Sequence, residues 1–225
     1  MKMLPLRYLL AATVLLMMTF PLHANPILPG GTVAPDVFTI NSEPPLLGDM
    51  SGNFDFNFNG GHLKGTWEAA VLVDPFGVTC SGCLDFAYQV TLDPNSYFVI
   101  GQLGVSRFFG YSTDVGYVNE SGDVTPSLVN RGPAGGGVFF QFSSGVTQGQ
   151  SNAFLVVATN SKTFDTNGIL QVFGTNGVHN VNGQINGLFE PTQAPEPSSA
   201  LLLGLGLAGI AAFRKRLVAP RRSRN

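Results

Sequence analysis

Leu84-Asp85-Phe86-Ala87-Tyr88-Gln89-Val90-Thr91-Leu92 is the stretch that decides the fold. Large apolar residues take every second position, and Asp85, Ala87, Gln89 and Thr91 fill the gaps. Successive side chains of a strand point to opposite faces, so this period of two sets one apolar row against a core. Asp93-Pro94-Asn95-Ser96 follows, a cluster of turn formers. Upstream, Phe54, Phe56 and Phe58 alternate with Asn53, Asp55, Asn57 and Asn59. Gly60-Gly61 turns the chain, and Leu63, Gly65, Trp67, Ala69, Val71 and Val73 then share one parity. The two runs read as a β-hairpin with one buried face.

Downstream, shorter runs at 97–103, 114–118, 138–142, 153–159 and 169–173 read as further strands. Glu120-Ser121-Gly122-Asp123, Gly135-Gly136-Gly137, Ser143-Ser144-Gly145 and Asn176-Gly177 break or flank them. No segment of the body sustains a helical period. The expected fold is all-β, an antiparallel β-sandwich, with a barrel or jelly roll as the alternative. The 28 glycines and 18 phenylalanines fit short strands joined by tight turns, and 44% hydrophobic residues argue against disorder.

The expected organisation is a signal peptide over 1–24, an extended lead-in over 25–35 and a β body over 36–190. A linker over 191–197, a membrane span with its basic stop over 198–216 and a basic tail over 217–225 complete the chain. The formal net charge of −2 hides a marked asymmetry. Only Lys64, Arg107, Arg131 and Lys162 lie between the two ends, against 14 acidic residues from Asp36 to Glu196, a net of −10. Such a field repels phosphate backbones, so the body is not expected to bind nucleic acid.

At the front, Lys2 and Arg7 precede an apolar run from Tyr8 to Phe20, and Leu22-His23-Ala24 ends in a small residue. This is the layout of a secretory signal peptide, cut by signal peptidase between Ala24 and Asn25. At the back, Pro195-Glu196-Pro197 leads into an uncharged apolar run from Ala200 to Phe213 and then Arg214-Lys215-Arg216. Those 14 residues reach roughly 21 Å as a helix, against a hydrocarbon core of ~30 Å. Snorkelling arginines and local thinning of the bilayer close much of that gap. The basic block stays in the cytoplasm, which puts the body on the far side of the inner membrane. The prolines keep the tripeptide out of any helix and extended.

Tripeptide, glycine-rich span and arginine block, in that order at the C-terminus, resemble the PEP-CTERM sorting signal of Gram-negative exopolysaccharide producers. The resemblance covers about 25 residues. It implies that exosortase, a membrane protease-transpeptidase, recognises Pro195-Glu196-Pro197, cuts near it and releases or re-anchors the body. The precursor is then anchored in the inner membrane by its C-terminal helix, and the mature form lies at the cell surface or outside it.

Within the body, Cys80-Ser81-Gly82-Cys83 reads first as a structural disulfide of an exported protein, with free redox-labile thiols and a metal site as alternatives. A c-type haem site would need histidine where Leu84 stands. Asp55-Phe56-Asn57-Phe58-Asn59-Gly60 matches half of a calcium loop, but Thr66 stands where glutamate is needed. No Gly-x-Ser-x-Gly elbow occurs, and Gly132-Pro133-Ala134-Gly135-Gly136-Gly137 lacks the lysine of a phosphate loop and reads as a flexible connection. His62 and His179 read as surface or loop residues. Glu68, Asp74, Asp85 and Asp93 are the candidates for a glycosidase pair. No metal, cofactor or catalytic residue is expected. The expected function is that of a non-enzymatic envelope or matrix protein associated with exopolysaccharide. A secreted polysaccharide hydrolase and a thiol-disulfide protein using Cys80 and Cys83 are the alternatives.

Overall fold

The computed structural model describes residues 26–39, 45–58, 61–74 and 79–192. Among them the chain forms strands and no helix. The lead-in supplies β1 (Thr32–Val33) and β2 (Asp36–Val37). The phenylalanine hairpin is β3 (Leu46–Phe58) and β4 (Gly61–Val73), and the decisive stretch is β5 (Leu84–Leu92). Then come β6 (Val99–Val105), β7 (Thr113–Val118), β8 (Leu128–Arg131), β9 (Val138–Val146), β10 (Phe154–Thr159), β11 (Phe164–Thr175) and β12 (Asn180–Pro191).

These strands make two six-stranded sheets. Sheet I has the order β2-β7-β10-β5-β4-β3, and sheet II the order β1-β8-β9-β6-β11-β12. Neither closes on itself, so the barrel alternative does not hold. The expectation of a wholly antiparallel fold also needs one correction, because β2 pairs with β7 in parallel. Only Ala34 and Pro35 separate β1 from β2, so the chain changes sheets with no room for a reversing turn.

The core lies between the layers. Leu63, Val71, Phe86, Tyr88 and Val90 of sheet I join Leu103, Phe140, Leu170 and Val172 of sheet II in one buried cluster. Each such side chain contributes about 1.5–3 kcal/mol when taken from water. The Tyr88 hydroxyl donates to the Phe189 carbonyl of β12 at 2.7 Å, a bond from layer to layer. Burial, and then the nearby Glu190 charge, raise the Tyr88 pKa and hold it as a donor.

Three further stretches differ from the sequence reading. Ser143-Ser144-Gly145 does not interrupt a strand but lies inside β9, where the β6–β9 register shifts between Ile100 and Gln102. A bulge takes turn-forming residues without ending the pairing. Gly132 to Gly137 is held rather than loose: the Gly132 amide donates to the Gly137 carbonyl at 2.8 Å, and Arg131 Nε to the Gly135 carbonyl at 2.9 Å. Strand β12 runs to Pro191, the first residue read as linker.

Among the described residues no helix is long and apolar enough to cross a membrane. The expected signal peptide and the expected span lie outside those residues.

Candidate functional site

Ala24, Asn25, Pro195, Glu196, Pro197, Arg214, Lys215 and Arg216, the residues expected to direct export and sorting, also lie outside the described residues. What the structure does describe is the chain leading up to them. Thr192 is anchored on three sides. Its amide donates to the Thr163 carbonyl at 3.1 Å, its hydroxyl to Thr163 Oγ1 at 2.6 Å, and its carbonyl accepts from the Tyr111 hydroxyl.

Cys80 and Cys83 form a disulfide with Cα atoms 5.3 Å apart. Cys83 is buried, Cys80 is exposed, and β5 follows at once. The bridge closes a tight loop just before β5, and the Cys83 carbonyl accepts from the Asp74 amide at 2.8 Å, which ties that loop to the end of β4. A thiol made reactive by a helix N-terminus would need a helix here, and a strand stands in its place.

Carboxyl groups gather on the outer face of sheet I. Asp85 of β5 and Asp114 of β7 both pair in register with Ala158 of β10 and so flank it. Asp74, just past β4, accepts from the Thr79 amide through Oδ2 at 3.1 Å. Asp85 is fully buried, and neither of its oxygens meets a donor among the described residues. Burial first, then the Asp74 carboxyl beside it, then Asp114, push Asp85 up to about 8. At neutral pH Asp85 therefore keeps a proton, which Asp74 can accept.

A second carboxyl pair sits near the end of β12. Asp165 and Glu190 are register partners. Burial first, then contact with Asp165, push Glu190 up to about 7, and Arg107 partly offsets them. Arg107 Nε lies 3.5 Å from Glu190 Oε2, on a residue whose φ of 78° is in the left-handed region. In both places a neighbouring carboxyl lies near enough to help raise the other's pKa, and Asp85 and Glu190 are buried rather than presented in a cleft. Glycoside hydrolysis needs two carboxyl groups about 5–10 Å apart across a substrate. Of the other glycosidase candidates, Glu68 is exposed on β4, and Asp93 caps its own turn by accepting from the Asn95 amide at 2.7 Å.

The turn end of the hairpin carries polar side-chain pairs. His62 Nδ1 lies 2.7 Å from Asp55 Oδ1, and Lys64 Nζ lies 3.6 Å from Asp93 Oδ1. A cleft of about 440 Å³ there is lined by Asn53, Asp55, Lys64, Thr66, Thr91 and Asp93 among others. Asp55 to Phe58 belong to β3, as the interleaved phenylalanines require, and Asn59 and Gly60 lie outside the described residues. Among the described residues no three His, Cys, Asp or Glu side chains come together so as to hold a metal ion. His179 is exposed in the β11–β12 turn, where its amide donates to Asn176 Oδ1 at 2.7 Å.

Arg131 went unremarked in the sequence as more than a body charge, yet it is 4% exposed. Its guanidinium donates to the carbonyls of Ile27, Phe108, Tyr111 and Gly135 at 2.9–3.0 Å. It lines a cleft of about 300 Å³, but its donors are spent on backbone, so it positions loops rather than offering a charge. Nothing in the sequence near Arg131 marks it, because three of its four partners are main-chain carbonyls of two segments distant in the chain, at Ile27 and at Phe108 to Tyr111.

The sequence match agrees with the geometry at the end of β12. Residues 193–216 match the PEP-CTERM protein-sorting motif, and the match begins at the residue after Thr192. The chain therefore carries a sorting signal for export and membrane processing by exosortase. No curated protein and no solved structure matches the chain.

Proposed function

We propose that the β body is the non-catalytic cargo of its sorting signal, delivered to the cell envelope or extracellular matrix, where it associates with exopolysaccharide. The observation that carries this reading is the junction at Thr192. The described fold ends on a residue held by Thr163 and Tyr111, and the sorting motif starts at the next one. Cleavage inside 193–216 removes no strand of either sheet and leaves the body whole. In the precursor the C-terminal helix anchors the chain in the inner membrane with the body outside the cytoplasm. Signal peptidase cuts after Ala24 and exosortase near Pro195-Glu196-Pro197. The burial of Asp85 and Glu190, out of reach of a substrate, favours this reading over a hydrolase.

Mass spectrometry of the protein recovered from its host tests the delivery. An N-terminus at Asn25 and a C-terminus near Pro195 to Pro197 are expected, with the mature form in the matrix fraction. Recovery of a single mature form that still contains Arg222 contradicts the processing. A processed form that washes freely off the host matrix contradicts the association.

A further inference from the structure

We infer that the outer face of sheet II is the polysaccharide-binding surface and that it takes a neutral, hydroxyl-rich chain laid across the strands; this rests on the exopolysaccharide reading above and gives it a place and a chemistry. Two rows of side chains carry the inference. The first runs Asn130, Phe139, Gly104, Gln171 and Gln184, each in register with the next. The second runs Leu128, Gln141, Gln102, Phe173 and Asn182 in the same way. Their chain neighbours Leu103, Phe140 and Val172 are in the core, so by strand alternation both rows face outward. They cross β8, β9, β6, β11 and β12, a width of roughly 19 Å at the usual strand spacing.

Neither row contains a charged residue, although residues 36–190 carry a net charge of −9. In place of charge there are primary amides on every one of the five strands. A primary amide both donates and accepts, as a sugar hydroxyl does, so the two match without either being ionised. Between the amides lie two rings. Phe139 and Phe173 pair edge to face with centroids 6.4 Å apart. Phe139 lies down on glycine: a Cβ at Gly104 would come within 2.7 Å of its ring, and one at Gly137 within 2.8 Å. The backbone thus covers one side of a half-buried ring and leaves the other for the C–H face of a sugar. The Gln171 Oε1 atom approaches the same Gly104 position, at 3.5 Å from that Cβ, which puts an amide beside the ring.

The same features disfavour other occupants. An anionic glycan or nucleic acid would find no cation on these rows. A peptide strand would add to a sheet edge rather than lie on a face.

Affinity electrophoresis tests the inference with the mature protein recovered from its host, run in native gels with soluble hydroxyethyl cellulose or with alginate. Retardation by hydroxyethyl cellulose and not by alginate is expected. Phe173→Ala and the pair Gln102→Ala, Gln171→Ala should each weaken retardation about tenfold, as removal of central contacts does. Glu68→Gln, on the other sheet, should leave it unchanged. Gln184→Ala, at an exposed rim position, repeats the test should Phe173→Ala fail to fold, with a smaller loss expected. Undiminished retardation of the face variants, or retardation by alginate alone, overturns the inference while leaving the association with matrix standing. Loss of the wild-type protein from both gels and from host matrix removes the association as well.

Discussion

On the outer face of sheet I, Asp85 is buried near Asp74 and Asp114 and is pushed above its ordinary pKa. On the outer face of sheet II, amides and two rings lie side by side without charge. Both faces come from the same alternation of inward and outward residues. They differ in what the outward residues cost to dry. Asp85 has been taken out of water beside Asp74 and Asp114 and answers by holding its proton. Gln102, Gln141 and Gln171 are half-buried, and the loss of some water leaves an amide neutral at any physiological pH. Sheet I should therefore respond to pH, whereas the two amide rows of sheet II should respond to ligand shape and not to pH or salt.

The largest effect that would sharpen this contrast is expected at Asp85. Its ordinary pKa is 3.8 and burial raises it to about 8. Between those values the unfolded chain gives up its proton while the native chain keeps it. The native state binds more protons, so stability falls as pH rises from about 4 to about 8. Asp85→Asn removes the titration and keeps a donor for Asp74. The variant should match the wild type near pH 4 and exceed it near pH 8, by on the order of 5 kcal/mol. Denaturant titrations across that range measure it. A difference that stays constant with pH would show that Asp85 is not the group responsible.

A smaller effect should appear at the opposite face. Gly104→Val brings branched carbon into the space where Phe139 lies, 2.7 Å from the Cβ position. The ring has to lift, at a cost of about 1–3 kcal/mol. Because neither row around Phe139 holds a titrating group, that cost should be the same at pH 5 and pH 8. Hydroxyethyl cellulose retardation should fall with it. A folded Gly104→Val protein that binds as the wild type does would separate the ring from the binding surface.

The two faces also differ in how far the sequence revealed them. Phe54, Phe56 and Phe58 and the run from Leu84 to Leu92 announced their strands because large apolar side chains alternate with polar ones. That signal is written by the core and serves sheet I well. Strand β12 is Asn-Val-Asn-Gly-Gln-Ile-Asn-Gly over 180–187, where two of the four inward positions are glycine or lack bulk and the outward ones are amides that also favour turns. Its alternation is real but faint, so both the strand and the amide row it completes escaped notice. The pairing of Asp74 with Asp85 was unreadable for another reason. Both were candidates for chemistry, but their separation depends on which strands become neighbours, and a sequence alone does not contain that distance. The sorting tail was legible throughout because its parts are contiguous in the chain.

The smallest expected effect lies at Lys64, and it tests whether charge on sheet I matters only where it is dry. Lys64 Nζ stands 3.6 Å from Asp93 Oδ1, with about a third of each side chain exposed. The Asp93 pKa is lowered chiefly by the Asn95 amide, and Lys64 adds less. Lys64→Met therefore leaves Asp93 with its main partner and removes only a solvated ion pair. Its melting temperature should move by no more than about 1 °C, and any shift should vanish in high salt. A salt-resistant loss of several degrees would mean that Lys64 does more than face water, and that the charged rim of sheet I is as structural as its buried carboxyls.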